Sequence, residues 1–483
     1  MQLRELLNKT DIVEASADLD ARIAGVCFDT RKTMPGELFV AIRGFERDGH
    51  RFIGEAAEKG ASCVICEEAP DVEIPYIVVK NSRIALAEVS AAWFGYPAEK
   101  LKIIGVTGTN GKTTVTNLLK QVIEKCTGEK AGLIGTIGNM IGDVSYPSER
   151  TTPESYDIHG FLDRIVREGG AYAIMEVSSH ALELGRVHGI VFDAAVFTNL
   201  TPEHLDFHDS LDDYARAKSL LFSSCRGAAI NIDDRYAPVM AANVPDCLFT
   251  YAVDDDAADL VAKNVKLHSD SIDFSILMIG KLIRINLPIP GMFSVYNALA
   301  VISASLLLGL DIDCITRVLE TCTGVKGRAE VAPSGGDFTV LIDYAHTPDA
   351  LSNIISAARG FARGRVVTLF GCGGDRDRIK RPLMGEIASG LSDFVIVTSD
   401  NPRTEEPAAI IEDILAGMTK TATPYRVIEN RREAIFWALD NSGQGDVLIL
   451  AGKGHETYQI IGREKTDFDE RKVVADFFEQ GGA

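Results

Sequence analysis

The chain has 483 residues and no excess of positive charge: 49 Lys and Arg stand against 69 Asp and Glu, for a formal net charge of −20. A field of that sign disfavours a groove for nucleic acid, because nucleic-acid affinity rests on neutralising phosphates. It does not exclude a nucleotide pocket, which needs only local N–H groups and one or two cations. Long hydrophobic runs are also missing. No stretch approaches the roughly 18 apolar residues that a membrane helix needs, and the longest, residues 298–308, has the length of a core helix. The opening MQLRELLNKTDIVE lacks the positive segment and apolar run of a secretory signal. The expectation is therefore no membrane insertion and no export. Nine cysteines are scattered along the chain, and only Cys63 and Cys66 form a CxxC pair. A zinc site would need a second pair, so these two read as packing on a buried strand within a reducing cytoplasm.

What is present is the balance of a globular protein, with 46% hydrophobic and 24% charged residues. The length suggests about three domains. Residues 1–99 mix short strand candidates (38–42, 63–65, 76–79) with helices, up to a break at Tyr96-Pro97. Residues 100–325 alternate strands (102–106, 131–137, 172–177, 194–199, 228–232) with helices, which predicts a mostly parallel sheet covered on both faces. A near-alternating stretch, residues 271–288, predicts a hairpin turning at Gly280-Lys281. Residues 326–483 alternate again, with strands at 338–343, 365–370, 394–398 and 447–451. The fold class expected is α/β in three domains: a small mixed N-terminal domain, a central P-loop ATPase-like doubly wound sheet, and a C-terminal Rossmann-like doubly wound domain.

The strongest motif is KIIGVTGTNGKTT, residues 102–114. An apolar strand enters Gly108-Thr109-Asn110-Gly111-Lys112-Thr113-Thr114 and a helical stretch leaves it. Glycines let successive N–H groups turn toward phosphate oxygens at a helix N-terminus. Lys112 would reach the β- and γ-phosphates, and the Thr113 hydroxyl would join a Mg²⁺ shell. The spacing is G-x2-G-K-T, because Val106 stands where the longer motif has glycine. A nucleoside triphosphate is the expected ligand.

Ligands of parallel sheets lie beyond the carboxyl ends of strands. MEVSSH places Glu176, Ser178, Ser179 and His180 at one such end, and TNLTPEHLDFH places Asn199, His204, Asp206 and His208 at another. Glu176 and His204 read as functional, with Glu176 in reach of a nucleotide metal. His208 reads as a satisfied structural histidine, and Lys218, taken alone, reads as a surface lysine on a helix.

The stretches GTNGKTT, MEVSSHAL, TNLTPEHLDFH, YARAKSLLF, GMFSVYNALA, GVKGRAE, DYAHTPDAL, GCGGDRDRIKRPLMG, SDNPRTEEP and AGKGHE run in order from residue 108 to 456. Together they resemble the Mur ligases, ATP-dependent amino acid ligases of peptidoglycan precursor synthesis. FDTRKTMPGELFVAI extends the likeness more loosely into the first hundred residues. The resemblance implies ATP and Mg²⁺ as cofactors, a cytoplasmic monomer and small-molecule substrates. It implies that Gly108–Thr114 hold the phosphates, that Thr113, Glu176, His204 and a carbamylated Lys218 serve metal ions, and that Asn297, Arg328, Asp343 and His346 contact the nucleotide. Lys112, Glu176, His204 and Lys218 form the implied catalytic set. For a UDP-muramoyl substrate it implies Phe28, Thr30, Phe45, Glu46 and Arg47 at the uridine end, and Thr151, Thr152, Ser178 and Arg186 along the sugar and peptide.

Asp400-Asn401-Pro402-Arg403 resembles the loop of family members that add meso-diaminopimelate to UDP-MurNAc-L-Ala-D-Glu. Diaminopimelate is lysine with a carboxylate beside its far amine, and an arginine fork can pair with it bidentately. Arg376, Gly452 and Glu456 match the remaining contacts, with Glu456 facing the far ammonium. L-lysine is the alternative amino acid, and it would offer Arg403 no carboxylate. Residues around 323–328 form the expected hinge by which the third domain closes.

Overall fold

The computed structural model describes residues 1–44, 47–148, 150–202, 207–278 and 281–481. Three sheets appear in chain order. The first has five strands, parallel except for Ile12–Ala15, which runs antiparallel to Tyr76–Val79 at one edge. Cys63 and Cys66 lie on its buried strand Cys63–Cys66 and pack into different cores on its two faces. Alternation along a strand separates them, so they cannot share a metal.

The second sheet has eleven strands. Its parallel centre places Lys102–Thr107 between Ala194–Phe197 and Tyr172–Glu176, with Glu176 in register with Val106. The helix Lys112–Thr127 covers one face, packed against the almost wholly buried helix Phe293–Leu307. Helices Ser155–Arg167 and Leu211–Ser219 cover the other. Antiparallel strands finish both edges, and the hairpin read from residues 271–288 is formed by Ile272–Met278 and Lys281–Leu287. Its tip lies outside the described residues.

The third sheet has six strands, parallel except for Glu330–Ala332. Val447–Ala451 is central, between Thr339–Asp343 and Val366–Phe370. The carboxyl ends of these strands and of Phe394–Val397 gather residues 343–346, 371–376, 398–403 and 452–456 at one rim. The hairpin Tyr458–Ile461 with Glu464–Asp467 lies across that rim.

Cys126 and Cys314, 188 residues apart, are joined as a disulfide between the phosphate-loop helix and Ile312–Leu319, so thiols throughout do not describe the molecule. Residues 323–328, where a hinge is expected, differ in how tightly they are held. Gly327 sits at φ +67 with its N–H on Glu330, and a Cβ there would lie 2.1 Å from the Gly454 carbonyl carbon. That residue is locked into the third unit, leaving Gly324, whose surroundings are open, as the freer point. Among the described residues, no helix is long and apolar enough to cross a membrane.

Candidate active site

The loop after Lys102–Thr107 is shaped by two glycines. Gly108 (φ +146) has no room for a side chain: a Cβ would meet Thr198 Oγ1 at 1.9 Å. Gly111 (φ +89) precedes the helix, and its Cβ position lies 2.6 Å from Asn297 Oδ1. Asn297 therefore lies against the loop. Asn199 and Thr198 brace the loop from the neighbouring strand: Asn110 N–H donates to Asn199 Oδ1 at 2.9 Å and Thr198 Oγ1 donates to the Asn110 carbonyl at 2.6 Å. The Lys112 ammonium curls over the loop to the carbonyls of Gly108 and Thr109, each at 2.8 Å.

Glu176 is buried and accepts Thr113 Oγ1 at 2.9 Å, Thr136 N–H at 2.9 Å and Thr136 Oγ1 at 3.0 Å. A carboxylate and a threonine hydroxyl 2.9 Å apart beside a phosphate loop form a donor set that suits Mg²⁺. Lys218 is not a surface residue. It is 1% exposed, its Nζ donates to the Gly108 carbonyl at 2.9 Å, and it sits 4.4 Å from the Tyr214 ring centroid. His208 is buried with Nε2 2.9 Å from Ser179 Oγ, in keeping with its structural reading. His204, Phe45 and Glu46 lie outside the described residues.

A cavity of about 720 Å³ joins this loop to the third unit, lined among others by Lys112, Glu176, Asn297, Arg328, Asp343 and His346. Arg328 donates to Thr113 Oγ1 at 3.3 Å, with its guanidinium 5.0 Å from the Tyr344 ring centroid. Asp343 accepts the Ala329 N–H at 2.7 Å, and burial pushes its carboxyl above the ordinary range. The exposed His346 folds back on the Tyr344 carbonyl at 2.8 Å. Sequence reading missed Asp349, whose Oδ2 accepts Asn110 Nδ2 at 2.7 Å and Thr201 Oγ1 at 2.9 Å, tying the third unit to the phosphate loop. Only its place in DYAHTPDAL hinted at this.

Beside Glu176, Thr151 lies 3.0 Å from Thr136 through their hydroxyls. Thr152 Oγ1 donates to the Glu176 carbonyl at 2.8 Å and accepts the Ser178 N–H at 3.1 Å, while Ser178 caps Ser179–Glu183. Arg186 donates to the Thr152 carbonyl at 3.0 Å, and burial lowers its pKa. Glu154, which the sequence did not single out, gathers Arg186, Arg150 and Arg83 on its two oxygens. Arg83 comes from the first unit, so this carboxylate holds that unit beside the cavity. In the first unit, Thr30 is buried with its carbonyl on Lys59, Phe28 packs 6.1 Å from Tyr156, and Arg47 is exposed.

At the rim of the third sheet, Asp400 and Asn401 are buried and Arg403 adopts the left-handed φ of +52. Arg403 Nη1 donates to the Gly374 carbonyl at 2.7 Å, while a Cβ on Gly373 would lie 2.9 Å from it and 3.8 Å from Arg376 Cγ. The two arginines thus lie on the same side of one glycine. Pro402 is buried beside them. Gly452 (φ +110) allows Asp400 to approach, since a Cβ would meet Asp400 Oδ2 at 2.7 Å. Glu456 accepts Asn401 Nδ2 at 2.9 Å. All seven residues expected at the amino acid, from Arg376 to Glu456, therefore fall on one rim.

Three family models match almost the whole chain in this order: Mur ligase family, catalytic domain, at residues 22–99; Mur ligase middle domain at 106–305; and Mur ligase, glutamate ligase domain, at 327–454. The chain belongs to the Mur ligase family. It is 47% identical over 466 residues to UDP-N-acetylmuramoyl-L-alanyl-D-glutamate–2,6-diaminopimelate ligase of Caldanaerobacter subterraneus, covering 95% of this chain and 96% of that one. It is 44% identical to the enzyme of that name from Clostridium tetani, covering 99% and 100%. A solved structure of a UDP-N-acetylmuramoyl-L-alanyl-D-glutamate–2,6-diaminopimelate ligase superimposes with a TM-score of 0.74 at 31% identity, over 99% of both chains.

Proposed function

We propose that this Mur ligase adds meso-2,6-diaminopimelate to the D-glutamate carboxylate of UDP-MurNAc-L-Ala-D-Glu at the expense of ATP, in cytoplasmic peptidoglycan precursor synthesis. The observation that carries the choice of amino acid is the rim itself: Arg403 and Arg376 on one side of Gly373, with Glu456 held by Asn401 nearby. A far carboxylate and a far ammonium on one carbon match an arginine fork and a carboxylate. L-lysine matches only the second.

A free carboxylate is a poor acyl donor, so the γ-phosphoryl group of ATP passes first to the D-glutamyl carboxylate, giving an acyl phosphate and ADP. The diaminopimelate amine then attacks that carbonyl, and phosphate leaves. Lys112, already positioned over the loop, leaves the Gly108 and Thr109 carbonyls to meet phosphate oxygens. Gly108–Thr114 supply backbone N–H groups, Asn297 backs the loop, and Arg328 brings a guanidinium from the third domain. Asp343 and His346 lie where the nucleotide's other end would rest. When bound at Thr113 and Glu176, Mg²⁺ would neutralise charge on the phosphates. Lys218, buried beside the loop, would become an anionic ligand if carbamylated, and His204 belongs to the same implied set. Thr151, Thr152, Ser178 and Arg186 line the approach of the muramoyl peptide, and Phe28, Thr30 and Arg47 the uridine end. We assign residues 1–99, 100–325 and 326–483 to the muramoyl, ATP and amino acid domains of a monomer.

The test is phosphate release from ATP with UDP-MurNAc-L-Ala-D-Glu, comparing meso-diaminopimelate with L-lysine, and mass detection of the product. Release and tripeptide with diaminopimelate alone are expected. Equal turnover with lysine would sink the argument from the rim.

A further inference from the structure

Beneath the amino acid rim lies a charged group that the ligation chemistry does not use. Lys453 is fully buried, with 0% of its side chain exposed. Its ammonium donates to Asn401 Oδ1 at 3.1 Å and Glu456 Oε2 at 3.0 Å, and lies 3.8 Å from Asp400 Oδ1. The rings of Tyr458 and Phe468 close around it, with centroids 5.8 and 5.9 Å away. A second buried pair holds the floor. Arg431 and Glu470, both fully buried, join at 2.8 Å, and Arg431 donates to the Ala451 carbonyl at 2.7 Å, immediately before Gly452.

Taking an ammonium wholly out of water is costly, and a buried ion pair is at best a weak source of stability compared with well-packed apolar side chains. Placement is the more economical explanation, and the contacts are specific enough to provide it. Glu456 Oε2 receives both Lys453 Nζ and Asn401 Nδ2. Oε1 is then the oxygen left for a ligand. Asn401 Oδ1 receives Lys453 Nζ and the Ile460 N–H at 2.9 Å, which fixes the amide so that its NH₂ faces Glu456. Ile460 in turn accepts the Arg403 N–H at 3.1 Å. One ammonium thus sets the carboxylate, the amide and, through the hairpin, the strand end bearing the arginine.

We propose that Lys453 is a positioning and specificity residue for the amino acid substrate: it fixes Glu456 and partly neutralises it. A lone ammonium then gains too little from Glu456, and tight binding requires the far carboxylate on Arg403 as well. This rests on the function proposed above. Buried charge–charge contacts over such distances are strong enough to alter affinity at least tenfold when one partner is removed.

The test is steady-state kinetics of Lys453→Met, alone and combined with Glu456→Gln, on the full chain with ATP, UDP-MurNAc-L-Ala-D-Glu and either meso-diaminopimelate or L-lysine. The single change is expected to raise KM for diaminopimelate by about tenfold and to narrow the preference over lysine, with KM for ATP within about twofold. In the Glu456→Gln background the additional effect should shrink to about twofold, because the two residues act as one unit. An unchanged KM for diaminopimelate, an equal effect in both backgrounds, or a parallel rise in KM for ATP would each overturn the proposal. Should Lys453→Met melt below the assay temperature, Lys453→Gln, which keeps a donor for Asn401, is read by the same criteria. Wild-type enzyme lacking diaminopimelate-dependent turnover would remove the underlying function as well, and it is seen before any variant is made.

Discussion

Arg403 combines a charged side chain with a backbone conformation that L-residues avoid. Its φ of +52 is held from both sides, by its own N–H on Ile460 at 3.1 Å and by the Gly462 N–H on its carbonyl at 2.7 Å. Strain of this kind persists only where surrounding structure over-determines it, and it clusters at functional sites. Arg403→Ala should lower kcat/KM for diaminopimelate by on the order of 10²–10³, the loss of one bidentate charge-assisted contact. Arg403→Gly should lose as much activity yet melt higher than Arg403→Ala, by up to about 1 kcal/mol of stability, since glycine accepts a positive φ. Equal melting of the two would show that the backbone there is unstrained. A different residue, His159, contributes to the loss of stability in acid. Both ring nitrogens are buried without a hydrogen-bond partner, and burial pushes its pKa down to about 4. Between pH 6.5 and about 4 the unfolded chain takes up a proton that the folded state refuses. Its contribution therefore destabilises the fold as pH falls through that window, by at most on the order of 3 kcal/mol. Thermal melts from pH 7.5 to 4.5 should show His159→Leu losing less stability than wild type. Parallel curves would count against the assignment.

At the level of elements, the phosphate loop depends on close backbone approach. Gly108→Ala combines a φ of +146 with a Cβ 1.9 Å from Thr198 Oγ1, so the loop must move and the neighbouring strand end with it. Nucleotide affinity should fall at least about a hundredfold, with a stability loss of roughly 2–4 kcal/mol, readable by calorimetry and thermal melting. Near-normal ATP affinity would mean that the loop is not the phosphate cradle. This loop was legible in sequence because strand, glycines and helix are contiguous, and the same holds for the apolar strands of all three sheets. Exposed or very short elements were not. Ile12–Ala15 is an exposed edge strand and Val26–Cys27 is only two residues long, so neither has a pattern to read. Contacts between distant segments were equally hidden. Glu154 meets arginines from two units, Cys126 and Cys314 are 188 residues apart, and Lys453 looks like any loop lysine until three segments close over it. Lys218 shows how context reverses a local reading: taken alone it reads as a surface lysine on a helix, and packing against Tyr214 and Gly108 buries it.

Across the whole molecule, named polar contacts join the phosphate loop to the third unit. The Asp349 carboxylate bridges Asn110 and Thr201 and Arg328 reaches Thr113, while Gln121 exchanges hydrogen bonds with Thr323 on the central unit's side of the open Gly324. Hydrogen bonds to a charged acceptor contribute about 1.5–3 kcal/mol each, so removing the two on Asp349 should shift the closed–open balance at least about tenfold toward open. Asp349→Ala is therefore expected to enlarge the radius of gyration of the ligand-free protein in solution scattering. An ATP analogue together with UDP-MurNAc-L-Ala-D-Glu should compact it again, because both ligands draw on groups from either side of the cavity. The same variant should show a raised KM for ATP with little change in melting, since each sheet keeps its own core. An unchanged scattering profile would show that Asp349 does not hold the third domain. An expanded variant that no ligand compacts would make this carboxylate indispensable to closure rather than one of several contacts that share it.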